Sequence, residues 1–123
     1  MAVRRYQDLI AWQTGELFSE EVHRLVASSP NARADFKYRS QILEASRAVP
    51  ANIVEGFLRF SPREIMRFLD YAIASLGEAE SRLGAGISAE YFSAIQCQAA
   101  FRFARRCLTA TVRLKQSQKR FLK

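Results

Sequence analysis

Between Ile65 and Leu83 the chain places Ile65, Phe68, Leu69, Ala72, Ile73, Leu76, Ala79 and Leu83 at recurring three- and four-residue steps. Only an α-helix gathers such a set onto one side, because a strand would scatter it over both faces. A stripe that long must be covered by other elements. Similar spacing recurs in Leu9, Trp12, Leu17, Phe18, Val22, Leu25 and Val26, and again in Ile42, Ala45, Val49, Ile53 and Phe57. A fourth set runs through Tyr91, Phe92, Ile95, Ala99, Phe103, Cys107, Leu108, Thr111, Val112 and Leu114. No strand-like alternation competes with these patterns, so the fold class is all-α.

Local signals set the expected boundaries. The first helix spans about 8–27, with Asp8 as its cap and Pro30 of "SSPN" ending it. The second spans about 34–57. The third spans about 62–83: Ser61 is the N-cap, Pro62 the first helical residue and Glu64 the third. Phe60 and Ile65 form a hydrophobic staple around that cap, and "GAG" at 84–86 stops the helix. Ser88 caps the fourth helix, at about 89–118, with Glu90 in its first turn. Short joints between long helices predict an antiparallel, up-down-up-down four-helix bundle formed by one domain over 1–123.

The stretch "VPANIVEGFLRFSPRE" interrupts this regularity. Pro50 lacks an N–H and crowds the preceding turn, so it predicts a kink. It does not predict a stop, since Ile53 and Phe57 keep the earlier period. Asn52 or Ser46 can bond the backbone groups left free. Glu55 and Arg59, four apart, form a pair, and Gly56 relaxes the exit. Glu55 has no second titrating partner nearby in sequence and Gly56 stands alone, so neither acid–base catalysis nor a phosphate loop is indicated. The chain reads as a non-enzyme without cofactor.

The opening "MAVRRYQDL" has no apolar core of a leader segment, and no run of eighteen apolar residues occurs. Cys97 and Cys107 stand about 15 Å apart along one helix, too far for a disulfide there. Both read as reduced core thiols of a cytoplasmic protein. One histidine, His23, gives no zinc cluster. Trp12, Phe18, Phe68, Phe92 and Phe103 read as core. Phe36, Tyr38, Phe57 and Phe60 sit near the ends of the second helix, where they can meet another subunit.

Charge is unevenly divided. Residues 1–90 hold eleven basic and twelve acidic side chains, whereas residues 91–123 hold eight basic and none acidic. Those eight include Arg102, Arg105, Arg106, Arg113, Lys115, Lys119 and Arg120. The first four share one helix face. Such a stripe is the footprint of a polyanion, RNA or DNA, unless Glu16, Glu20 and Glu21 of the first helix neutralise it.

"DLIAWQTGELF", "SQILEASRAVPANIVEGFLR" and "SPREIMRFLDYAIASLGEAESRL" together resemble the small helical family encoded by intervening sequences within bacterial 23S rRNA genes. The matching positions include Leu9, Trp12, Gln13, Ser40, Gln41, Ile42, Pro50, Asn52, Ile53, Glu55, Gly56, Arg59, Ser61, Glu64, Phe68 and Leu69. The sequence departs from that pattern at Leu43 and Glu44, where arginines usually stand. The resemblance implies a four-helix bundle assembled as a homopentamer. It also makes the chain similar to the accessory variability determinant protein of diversity-generating retroelements, which implies nucleic acid and a reverse transcriptase as partners. The alternative to a nucleic-acid binder is a protein-interaction scaffold docking its partner at the corner between the second and third helices.

Overall fold

The computed structural model describes residues 3–122. After a 3-10 turn at Tyr6–Asp8 come α1 (Ile10–Ser28), α2 (Pro30–Ala34), α3 (Phe36–Phe57), α4 (Pro62–Ser88) and α5 (Gln98–Lys119), and no strand occurs among the described residues. The first helix begins later than expected. Asp8 closes the 3-10 turn, Leu9 takes the cap position without a side-chain bond, and the Gln13 amide donates to the Gln7 carbonyl at 2.8 Å.

Pro30 ends α1 as expected, but it also begins α2. Ser29 caps that short helix by accepting from the Ala32 N–H at 3.2 Å. The chain is capped again at Asp35, whose carboxylate accepts from the Tyr38 N–H at 3.1 Å, so α3 starts at Phe36 and not near Ala34. α3 then runs unbroken through Pro50 to Phe57. Asn52 donates to the Ala48 carbonyl (2.8 Å) and Ser46 to the Leu43 carbonyl (3.0 Å), so neither serves the Ser46 carbonyl that the proline frees. Each reaches back along its own turn, as short polar side chains in helices do.

The start of α4 departs from expectation in its cap. Ser61 has the extended backbone of an N-cap and Pro62 follows it, but the serine hydroxyl makes no capping bond. Glu64 approaches Arg67 at 4.0 Å instead of reaching back to the cap. Phe60 is 98% exposed, so the staple with Ile65 is absent. Gly56 lies against α4 at this joint; a Cβ there would stand 3.3 Å from the Phe68 Cβ. This close approach brings the end of α3 against the first turns of α4.

The "GAG" stop is also corrected, since α4 passes through Gly84 and Gly86 and ends at Ser88. Gly86 is needed for packing. A Cβ on it would lie 2.4 Å from the Tyr38 hydroxyl oxygen and 2.7 Å from the Phe92 ring. The helix is ended by a Schellman motif: the Tyr91 N–H donates to the Gly86 carbonyl (2.8 Å) and the Glu90 N–H to that of Ile87 (3.0 Å). Glu90 holds the left-handed position with φ 63°, where glycine is usual. Glu90→Gly should therefore stabilise the protein by about 0.5–1 kcal/mol. A chemical-denaturation midpoint that fell would contradict this.

The expected helix start at Ser88–Glu90 is thus displaced. Residues 89–97 fold back over α3, where Tyr91 and Phe92 pack on Tyr38 with ring centroids 5.1 and 6.4 Å away. The Tyr91 hydroxyl donates to Asp35. The restart carries a capping box at Ser93 and Gln96, each side chain bonding the other's backbone N–H (3.1 and 2.8 Å). Phe92 is buried as expected, whereas Ile95 is exposed.

Backbone proximity gives the helix order. α1 packs on α3 and α5, and α4 also packs on α3 and α5. Tyr38 and Gln41 at the start of α3 meet Arg82 late in α4, so these two helices run in opposite directions. The core contains Phe18, Val22, Leu25, Ile42, Val49, Ile53, Leu76 and Leu83. Each such side chain contributes about 1.5–3 kcal/mol by leaving water. α5 supplies mainly small inward residues, Ala100, Ala104, Cys107 and Thr111. They let α5 approach α1 closely, and the Cys107 thiol contacts the Ala11 carbonyl at 3.5 Å. Both cysteines are buried and unpaired, and burial pushes both thiols up.

Candidate nucleic-acid interface

α5 buries Ala100, Ala104, Cys107 and Thr111, which turns the opposite side outward. Arg102, Arg105, Arg106 and Arg113 are all exposed on that side. No carboxylate lies within 4.0 Å of any of these four among the described residues. The acids of α1 do not neutralise the stripe: Glu21 pairs with Arg24 in its own helix. Lys115 differs. It is half-buried and bonds Asp70 of α4 at 2.7 Å, so its charge is already compensated. Lys119 and Arg120 are exposed at the end of α5, and the Arg120 Nε donates to the Ser117 carbonyl at 3.3 Å.

Arg105, Arg106 and Arg113 form one wall of a groove of about 960 Å³ between α5 and α1. Ile10, Thr14 and Leu17 of α1 line the other wall. Ile10 and Leu17 are exposed, so the groove is basic on one side and largely apolar on the other, with Asp8 at the α1 end as its one acid among the described residues. Arg105 to Arg113 spans about 12 Å of helix, room for a few phosphates.

Glu80 of α4 tempers this surface at Arg105. Burial raises its carboxyl, and the charge of Arg105 opposes the rise. A raised carboxyl binds its proton more tightly folded than unfolded, so ionising it costs stability as pH climbs through the folded value. Glu80→Gln should raise the melting temperature at neutral pH, with the gain vanishing in acid below the ordinary carboxylate range. The same change should strengthen anion binding. A gain in melting temperature that persists unchanged in acid would refute the assignment.

The remaining motif residues hold helices together. Gln41 accepts from Arg82 at 2.8 Å across α3 and α4. Arg59 pairs with Glu55 at 2.8 Å, as expected, and its guanidinium lies 4.7 Å from the Phe68 ring centroid. Trp12 packs edge-on against Tyr6 at 5.2 Å, and Pro50 and Gly56 are buried. Sequence reasoning missed the α1 wall of the groove, because Ile10 and Leu17 look like any apolar helix positions until α5 is placed beside them.

A family model described as 23S rRNA-intervening sequence protein matches residues 7–113. The chain belongs to this family. No curated protein matches it. The motifs from Leu9 to Leu69 fall inside the family segment, as do the four stripe arginines, while Lys115, Lys119 and Arg120 lie beyond it. No described helix of this family member is long and apolar enough to cross a membrane.

Proposed function

We propose that this family member is a non-catalytic antiparallel four-helix bundle that assembles with copies of itself, as a pentamer, in the cytoplasm. Its task is to hold RNA or DNA on the arginine face of α5. The observation that carries this reading is the set Arg102, Arg105, Arg106 and Arg113, exposed on one face and lacking any carboxylate within 4.0 Å among the described residues. Guanidiniums on one face without a salt-bridge partner suit phosphates, and apolar Ile10 and Leu17 beside them tolerate any base. Binding is therefore tolerant of sequence. Repetition of the face around an oligomer raises the avidity.

A mobility-shift assay with mixed-sequence RNA and DNA, on nuclease-treated protein, tests this. Retarded complexes at low salt are expected with every sequence. No complex with any probe would end the reading. One observation favours a second reading, that of a scaffold for a protein such as a reverse transcriptase. Leu58 and Phe60, at the α3–α4 corner, are 59% and 98% exposed. In that case partner capture survives nuclease and is lost with Phe60→Ser.

A further inference from the structure

The end of the molecule where α3 stops and α4 starts encloses a cavity of about 520 Å³. That volume is typical of small-molecule sites. Leu9, Ile53, Phe57, Ile65, Leu69 and Leu114 make it chiefly apolar. Two of these, Ile53 and Phe57, belong to the stretch around Pro50 whose sequence indicated neither catalysis nor a phosphate loop. The polar lining comes from one side, the last turn of α5, as Ser117, Gln118 and Arg120. The Ser117 hydroxyl is already spent on the Leu114 carbonyl at 2.6 Å. The Arg120 guanidinium has one bond, from Nε to the Ser117 carbonyl, and no carboxylate within 4.0 Å among the described residues.

We propose that this cavity binds a medium-chain carboxylate, with the alkyl chain among the apolar walls and the head on Arg120. The lining contains no acid, which disfavours a cationic ligand. It offers too few polar groups for a sugar or nucleotide, whose hydroxyls would be buried unpaired. The C-terminus of α5 carries about half a negative charge, which the adjacent Lys119 and Arg120 outweigh. The cavity shares Leu9, Leu114 and Ser117 with the groove beside α1, but none of Arg102, Arg105, Arg106 and Arg113 lines it, and the proposal does not rest on nucleic-acid binding.

Isothermal titration of the full chain with decanoate tests the proposal. One decanoate per chain is expected. Octanoate, two methylenes shorter, should bind about tenfold more weakly. Arg120→Gln should weaken decanoate about tenfold and leave 1-decanol unchanged. Ile65→Trp and, on the half-exposed rim, Ser117→Phe should each fill the space and abolish binding. The variant with Arg102, Arg105, Arg106 and Arg113 all changed to Gln should bind decanoate as wild type does. The proposal is overturned if decanoate does not saturate, if both filling variants still bind, or if decyltrimethylammonium binds as well. It is also overturned if binding follows the arginine face. An oligomer that excludes decanoate, and whose mass falls with Ile65→Trp, would mean that a second copy covers the cavity.

Discussion

Gly86→Leu is expected to destabilise the protein by about 2–3 kcal/mol, against about 1 kcal/mol of gain had the site been an open helix position. The Cβ alone would stand 2.4 Å from the Tyr38 hydroxyl oxygen and 2.7 Å from the Phe92 ring. Neither neighbour can yield freely. The Tyr38 hydroxyl donates to the Arg82 carbonyl at 2.6 Å, and Phe92 is buried in the segment that covers α3. Gly84, two residues earlier in the same helix, is the internal control. Nothing lies within 4 Å of a Cβ built there, so Gly84→Ala should stabilise the fold by up to about 1 kcal/mol. Urea denaturation of the two variants separates packing from propensity. Opposite shifts are expected, with the Gly86→Leu loss the larger, and a stabilised Gly86→Leu would show that the 89–97 segment does not sit on Gly86.

The second large effect concerns binding. Changing Arg102, Arg105, Arg106 and Arg113 together to Gln should cost about a hundredfold in RNA affinity at low salt. Four exposed charge pairs at about 0.7 kcal/mol each, within their usual range, sum to about 3 kcal/mol, and about 1.4 kcal/mol is a factor of ten. The fold should not suffer. The four side chains are exposed, Gln and Arg have similar helix propensities, and relief of like-charge crowding favours the variant. Circular dichroism and melting temperature should therefore match wild type while the mobility shift moves to about a hundredfold higher protein concentration. Lys115→Gln should do the reverse, with little loss of affinity and a small loss of stability, because its partner is Asp70.

Much of this was legible in the chain because the deciding signals are local. The stripe from Ile65 to Leu83 predicted a helix, and α4 buries Leu69, Ala72, Leu76, Ala79 and Leu83 along it. The common face of the four arginines is equally a matter of spacing within one helix. Glu55 and Arg59 pair as their four-residue separation implies. What failed was decided by residues distant in sequence. Gly86 looked like a stop, but its small size serves Tyr38, which lies far back on α3. The fourth helix was expected from Ala89 because Tyr91 and Phe92 continue its period, yet both rings pack on Tyr38 instead. Lys115 looked like part of the basic stripe until α4 brought Asp70 beside it. Phe60 looked like a staple, yet its ring is almost wholly exposed. The Ser93–Gln96 capping box is the exception, a local signal open to reading that marks the approach to α5.

The arginine face is tested most directly by the salt dependence of RNA binding in wild type and in the fourfold Gln variant. Each phosphate contact to a single strand contributes about −0.7 to the slope of log K against log salt concentration. Loss of four contacts should flatten the slope by about 3. An unchanged slope, with binding retained, would mean that these arginines touch no phosphate and that the face of α5 serves another purpose.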